Sequence, residues 1–271
     1  MKNDDALKQV VKEKYGRIAT QKENSCGCGC GCNNAESTQM FDYSSFSSDY
    51  NSIPGYVPEA DLGLGCGIPL EFAGIKSGDT VVDLGCGTGN DVFIARKLVG
   101  DTGHVIGIDM TEEMITKANY FKTKFGFQNV DFHLAEIEKM PLDNNSADLI
   151  VSNCVLNLVP DKRKAFTEIY RILKPGAHFC ISDIVLKGKL PENLKKQAEL
   201  YAGCVAGALT QEEYLEIIKA TGFEKIVIHV SRQIQLSPSI LKKFLSAQEL
   251  QDYQKSDNGI FSITLSGYKK S

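Results

Sequence analysis

VVDLGCGTGND, residues 81–91, is the stretch whose reading decides the fold. Val81 and Val82 read as a buried strand that ends in Asp83. Gly85, Gly87 and Gly89 follow, and a helical pattern begins directly after them. Glycine permits positive φ and lets a ligand approach the backbone. A dinucleotide-binding turn uses G-x-G-x-x-G, with pyrophosphate at the helix N-terminus. Here the spacing is G-x-G-x-G and position 90 is Asn. The carboxylate of Asp83, at the strand end, suits a cationic amino-acid moiety better than a diphosphate. Asp109 closes the next strand, and a carboxylate at that place can accept both hydroxyls of a ribose.

Working outward, strand-like and helix-like runs alternate from about residue 70. Strands are expected at 80–84, 104–108, 130–134, 148–152 and 177–183, with helices at about 89–99, 111–125 and 161–173. That alternation predicts a parallel sheet with helices on both faces. Further helices are expected near 192–203 and 211–221, and strands at 225–231 and 259–267. The last two can pair as an antiparallel hairpin at the edge, giving a seven-stranded, mostly parallel α/β sheet. Residues 232–258 read as helical and as a candidate cover for the site. Upstream, 4–19 reads as a helix, 20–55 as a loop rich in Ser, Asn and Gly, and 54–69 as a second glycine-rich loop. The expected organisation is therefore an N-terminal helix with Cys- and Gly-rich loops over 1–69 that form part of the substrate site, a ligand-binding core over 70–189, and helices with edge strands over 190–271 that complete the sheet and the substrate site.

Composition narrows the function classes. The chain has 271 residues, enough for one large α/β domain, and a formal net charge of −4. No basic stripe interleaved with aromatics appears, which argues against nucleic acid as a partner. No 18-residue apolar run occurs, so no membrane span is expected. The N-terminus MKNDDALKQVVKEKYG is charged and lacks the apolar stretch of a signal peptide, which points to the cytoplasm. In that reducing compartment nine cysteines are poor candidates for structural disulfides, and their odd number leaves at least one unmatched.

Three of those cysteines sit in distinctive runs. They are Cys66 in LGLGCGIP at 62–69, Cys154 in SNCVLNL at 152–158, and Cys204 in YAGCVAGAL at 201–209. Cys154 follows the fourth strand, at the carboxyl edge of the sheet where open α/β folds bind ligands. The separations exclude a local knuckle but allow a three-thiolate site assembled by tertiary folding. Such a site suits a soft, thiol-seeking atom, and trivalent arsenic is one. An arsenic lone pair attacking a methyl group needs no proton removed, whereas an oxygen acceptor needs a base. The four histidines, His104, His133, His178 and His229, all fall in expected strands and offer no obvious base. Cys86, inside the glycine loop, and Cys180, in mid-strand, read as small core fillers. The run CGCGCGC, which carries Cys26, Cys28, Cys30 and Cys32, does not match zinc spacing. It reads either as an arsenite-capturing or disulfide-relaying segment or as a non-specific thiol tail.

The motifs DLGCGTG at 83–89, GIDM at 107–110, AEIEKMPLDNNSADLIVSN at 135–153 and EIYRILKPGA at 168–177 together resemble the Rossmann-like class I S-adenosylmethionine-dependent methyltransferases. That resemblance implies that Gly85, Cys86, Gly87 and Gly89 pass the methionine part of S-adenosylmethionine and that Asp109 takes the ribose. It also implies that Met110 packs on adenine, that Glu136 and Ile137 contact the adenine edge, and that Asn153 and Cys154 lie beside the methionyl end. S-adenosylhomocysteine would be the product. GLGCGIP, SNCVLNL and CVAGAL resemble the arsenite methyltransferases, over roughly 5–230. By that likeness Cys66, Cys154 and Cys204 are the As(III) ligands, arsenite or its thiol adducts are the substrate, and glutathione or thioredoxin is the reductant. Two other readings use the same core: a methyltransferase for a carbon or oxygen of a quinone- or sterol-like acceptor, and a non-enzymatic thiol sensor of metalloids or redox state.

Overall fold

The computed structural model describes residues 2–20, 50–188, 207–234, 245–246, 248–251 and 258–271. In chain order its regular elements begin with helix α1 (Lys2–Thr20), strand β1 (Thr80–Leu84) and helix α2 (Asn90–Val99). Then come β2 (His104–Asp109), α3 (Glu112–Phe125), β3 (Val130–Leu134) and β4 (Ala147–Asn153). The remainder is α4 (Lys162–Ile172), β5 (Leu173–Lys187), α5 (Gln211–Ala220), β6 (Phe223–Ile234) and β7 (Gly259–Lys269).

The seven strands form one sheet in the order β3-β2-β1-β4-β5-β7-β6. The first five are parallel, and β7 runs antiparallel between β5 and β6. This is the expected architecture, the class I methyltransferase arrangement of a mostly parallel sheet with an antiparallel edge pair. β1 is covered on both faces, which is why its apolar run does not alternate. Its neighbours are β2 on one side and β4 on the other, so the strand order reverses there. The carboxyl ends of β1 and β4 therefore flank the crevice in which open α/β folds bind ligands.

Two apolar clusters clothe the sheet. Phe93, Ile94 and Phe121 from α2 and α3 pack on one face with Val81, Val105 and Val151. Phe166 and Ile169 from α4, with Tyr214 and Ile218 from α5, pack on the other with Val82, Ile150 and Phe179. Local signals fix the helix ends. The Asp161 carboxylate accepts the Lys164 N–H at 3.0 Å, and Thr210 and Glu213 form a reciprocal capping box. Helix α3 stops at Gly126, in the left-handed conformation that favours glycine.

Four expectations need correction or fall outside the described residues, the first being the loop expected at 20–55, of which 21–49 lie outside them. The fifth strand extends well beyond 177–183, because β7 pairs with it continuously from His178 to Lys187. Residues 232–234 are not helical: they prolong β6 along β7. Within the rest of 232–258, residues 248–251 are helical behind a Ser246 cap, while 235–244, 247 and 252–257 lie outside the described residues. The expected helix at 192–203 also lies outside them. Among the described residues no helix is long and apolar enough to cross a membrane.

Candidate active site

A single cavity opens at the carboxyl ends of β1, β2 and β4, and most residues singled out from the sequence line it. Asp83, Gly85, Cys86 and Gly87 form its floor. Asp109, Met110, Glu136 and Ile137 form one wall, and Asn153 and Cys154 form the opposite one. Gly89 does not line it. It is the N-cap of α2 at φ 97°, and a Cβ there would press on Phe93 and Phe132, so its absent side chain serves the helix start. At Gly85, with φ 67°, a Cβ would collide with Val155, so only glycine lets the loop pass beneath that side chain.

The loop is held from below by hydrogen bonds. The Gly85 and Cys86 N–H groups donate to the Ile108 carbonyl at 2.7 and 3.0 Å. Asp109 accepts the Gly87 N–H at 3.0 Å and the Thr111 N–H at 2.8 Å. Cys86 is buried, and burial pushes its thiol well above the ordinary range, in keeping with a neutral filler. Cys180 is likewise buried, its thiol pushed up to about 12 by burial, and it donates to the Pro69 carbonyl.

The electrostatics of the cavity call for a cation. Asp83, Asp91 and Asp109 all face it and are all largely sequestered from water. Burial raises the Asp83 carboxyl well above its usual range, and the Asp91 and Asp109 charges add to the shift. Burial lifts Asp91 to about 6 against the pull of Tyr50 and Asn153, and it raises Asp109 despite the two N–H donors. Asn90, also on the cavity wall, has a buried Oδ1 with no hydrogen-bond partner. A ligand carrying an ammonium and a sulfonium would answer both features, so these residues fit S-adenosylmethionine.

Helix α1 closes one side of the cavity with Lys8, Val11 and Tyr15, none of which the sequence singled out as a site residue. Lys8 reaches Glu136 and Glu138 at 2.7 Å each. Those two contacts outweigh burial and hold the Lys8 pKa above its ordinary value. The Lys8 bond in turn holds Glu136 low. Gly16 lets α1 sit against α3, since a Cβ there would lie 3.0 Å from the Glu113 carboxylate.

The thiols come next. Cys66 is buried and does not line the cavity itself. Its peptide is clamped from both sides: its N–H donates to Asn153 Oδ1 at 3.0 Å, and its carbonyl accepts from Ser262 Oγ at 2.6 Å. Asn153 Nδ2 also donates to the Gly67 carbonyl and the Tyr50 hydroxyl, each at 2.8 Å. Cys154, buried directly after β4, has φ 61° and donates its N–H to the Ser182 carbonyl at 2.8 Å. The Asn153 bond to Cys66 brings that residue beside Cys154, the next in the chain after Asn153; nearby, the buried Tyr214 has its pKa raised first by burial, then by Asp183, and last by the charges of Cys66 and Cys154. Tyr214 donates to Asp183 Oδ2 at 3.1 Å, while Asn157 Nδ2 donates to Oδ1 at 2.8 Å. The fold thus brings Cys66 and Cys154 to one neighbourhood; Cys204 and Cys26, Cys28, Cys30 and Cys32 lie outside the described residues.

The histidines stay clear of this region. None lines the cavity. His104 contacts Asp131, His178 meets the Ala73 carbonyl and His229 meets Ser266. Sequence reasoning missed Lys8, Tyr50, Asp91, Asp183, Tyr214 and Ser262. Only Asp91 carried a signal, two residues past Gly89 in the glycine loop.

Comparison with known proteins agrees with this geometry. A family described as a methyltransferase domain matches residues 75–222. The arsenite methyltransferase of Halobacterium salinarum is 38% identical over 233 residues, which cover 84% of this chain and 60% of that protein. That of Aquipseudomonas alcaligenes is 36% identical over 188 residues, covering 67% of this chain and 54% of that protein. Among solved structures, an arsenic(III) S-adenosylmethionine methyltransferase from Chlamydomonas reinhardtii superposes with TM-score 0.65 at 34% identity, covering 76% of this chain and 68% of that one. The chain thus spans between half and two thirds of the length of the two curated relatives.

Proposed function

We propose that this chain, which belongs to the arsenite methyltransferase family of class I S-adenosylmethionine-dependent methyltransferases, moves a methyl group from S-adenosylmethionine to thiol-bound trivalent arsenic. The observation that carries the reading is the pairing of a carboxylate-walled cavity with two buried cysteines, Cys154 in its wall and Cys66 beyond it on the loop clamped to Asn153. By the sequence likeness Cys204 is the third thiol.

When bound, the cofactor supplies an electrophilic methyl group on a cationic sulfur. Asp83, Asp91 and Asn90 are the groups that would hold its amino-acid end, and Asp109 its ribose. The thiols do the rest. Each sulfur displaces one oxygen or thiolate ligand of arsenic, and the thiol proton leaves with the displaced group. Three As–S bonds then fix the arsenic lone pair in one direction. Holding a nucleophile in line with its target is worth several powers of ten in rate. The lone pair would form the new As–C bond as the S–CH3 bond breaks, its electron pair staying on sulfur and S-adenosylhomocysteine leaving, which is a two-electron oxidation at arsenic. Joining two of the sulfurs as a disulfide returns those electrons, and glutathione or thioredoxin would regenerate the thiols. No base is consumed, in keeping with a cavity that carries no imidazole.

The test is product analysis by chromatography with elemental arsenic detection, using purified chain, S-adenosylmethionine, arsenite and a thiol reductant. Methylated arsenicals are expected from wild type. Cys154→Ser and Cys66→Ser should abolish them while S-adenosylhomocysteine still binds. Undiminished turnover in either variant would remove the basis of the proposal.

A further inference from the structure

We infer that Tyr50 is a positioning residue that couples the methyl-donor cavity to the Cys66 loop, so that filling one site tightens the other. The inference builds on the arsenic reading above and assigns a role to a residue outside the thiol set. Three observations support it.

First, one loop serves both sites. Tyr50, Asp61 and Leu64 line the cavity, and Cys66 lies two residues beyond Leu64. The loop is pinned to the cofactor turn where Thr88 Oγ1 donates to the Ala60 carbonyl at 2.5 Å.

Second, Tyr50 has a single hydroxyl proton and two acceptors for it. One is the Gly67 carbonyl at 3.2 Å, on the residue after Cys66. The other candidate is the carboxylate of Asp91, which faces the cavity, shares Asn153 Nδ2 as a neighbour with Tyr50, and acts on the Tyr50 hydroxyl through its charge. A cationic amino group arriving at Asp91 competes for the same oxygens. The Tyr50 proton is then left for Gly67, and the peptide after Cys66 is fixed more firmly.

Third, the Asn153 amide sits in the same contest. Its Nδ2 has two protons and three acceptors in reach: Tyr50 and Gly67 at 2.8 Å and Asp91 Oδ2 at 3.4 Å. Drawing Asp91 toward a ligand frees an amide proton for the Cys66 side. Tyr50 and Asp91 are buried and Asn153 and Gly67 are half-buried, which limits the water that can absorb the rearrangement.

Coupling of this kind is reciprocal, which makes it measurable from the cofactor side. The test is calorimetric titration of the reduced full-length chain with S-adenosylhomocysteine, without and with saturating arsenite. Arsenite should tighten S-adenosylhomocysteine binding about five- to tenfold in wild type. In Tyr50→Phe the factor should fall to about one, because the shared proton is gone. Ser262→Ala loosens the Cys66 carbonyl from the side away from the cavity. It should demand more arsenite for saturation yet keep the wild-type factor. Cys154→Ser should lose the effect, which separates these thiols from the cysteines at 26–32.

A wild-type factor of one, or an undiminished factor in Tyr50→Phe, overturns the inference. Should Tyr50→Phe not fold, hydrogen exchange of the 64–68 amides in wild type decides instead. S-adenosylhomocysteine must slow that exchange, and unchanged exchange refutes the link. If methylarsenicals form and coupling is absent, this inference alone fails. If no methylarsenical forms, the arsenic reading fails, and the exchange experiment still judges Tyr50.

Discussion

Gly67→Ala should disable arsenic chemistry by moving the Cys66 loop, with a much smaller effect on the cofactor cavity. Gly67 does not line that cavity. A Cβ built on it would stand 2.5 Å from Ser182 Oγ, 2.8 Å from Ser182 Cβ and 3.2 Å from Thr264 Oγ1. Ordinary contact begins near 3.4 Å, so loop and sheet must part by about 0.9 Å. The sheet side cannot give way cheaply. Ser182 is buried in β5 between β4 and β7, and its hydroxyl bonds Thr264 at 2.8 Å. The loop therefore moves, and its Asn153 and Ser262 bonds to Cys66 stretch. Overpacking of this size costs about 1–3 kcal/mol in stability. The larger effect is on rate, since misplacing a reacting group by about 1 Å can cost on the order of a hundredfold. The assay is the rate of methylarsenical formation, with S-adenosylhomocysteine affinity as the control. Turnover should fall about a hundredfold and the affinity change by less than about threefold. Ser182→Gly removes both nearest atoms, so G67A/S182G should recover at least about a tenth of wild-type turnover. A G67A chain within about twofold of wild type, or a double variant no better than G67A, would refute the clamp.

Two further outcomes follow from the same site. Lys8→Met removes the cation that bridges α1 to Glu136 and to Glu138, and leaves Glu138, whose side chain is 7% exposed, buried beside the cavity. The partly exposed Glu136 pair contributes little. The Glu138 pair should account for a rise of about tenfold in the S-adenosylhomocysteine dissociation rate by stopped flow, and an unchanged rate would show that α1 does not gate the cavity. Asp183→Asn concerns pH. Burial lifts Asp183 to about 7, so between about pH 4 and 7 the folded chain binds more protons there than the unfolded chain. Its stabilising contribution is complete below about pH 4 and is lost as pH rises through about 7, a change of at most about 4 kcal/mol. Urea midpoints across that range should lose this component of their slope in Asp183→Asn; an unaltered slope would mean that Asp183 does not titrate as its burial implies.

What the sequence disclosed about this fold was what short-range pattern encodes. Val81 and Val82 in an unbroken apolar run announce a strand covered on both faces, and the turn after Asp83 follows from glycines at 85, 87 and 89. Asp109 could be placed because a strand end is a local event. Long-range hydrogen bonds have no such signature. Nothing in a Ser- and Asn-rich stretch singles out Tyr50, which meets a residue 103 positions away. Ser262 reaches Cys66 across 196 positions, and Lys8 reaches Glu136 across 128. Gly89 shows the converse case. The motif reads all its glycines as ligand contacts, yet this one answers to Phe93 and the helix start. Thiols could be picked out one by one; the frame that orients them could not.

That frame explains why Cys154 is tolerated where it stands. At φ 61° a residue with a side chain is held in a region that glycine occupies far more readily, at a cost of order 1–3 kcal/mol. Glycine would relax the backbone at 154 but would bring no sulfur. Such strain persists only where the surroundings over-determine it. Here they do. The residue before Cys154 is Asn153, whose amide is anchored to Tyr50, Gly67 and Cys66, and the Cys154 N–H is tied to Ser182. Ser182 in turn bonds Thr264, and the same strand β7 carries Ser262, which holds the Cys66 carbonyl. The two cysteines are therefore positioned by one continuous set of bonds that crosses β4, β5 and β7, and displacing either pulls on the other. On the proposed reading, in which several sulfurs grip one soft atom at once, a rigid frame limits how far each thiol can move to meet it. The conformational cost is met in folding rather than at each encounter with substrate.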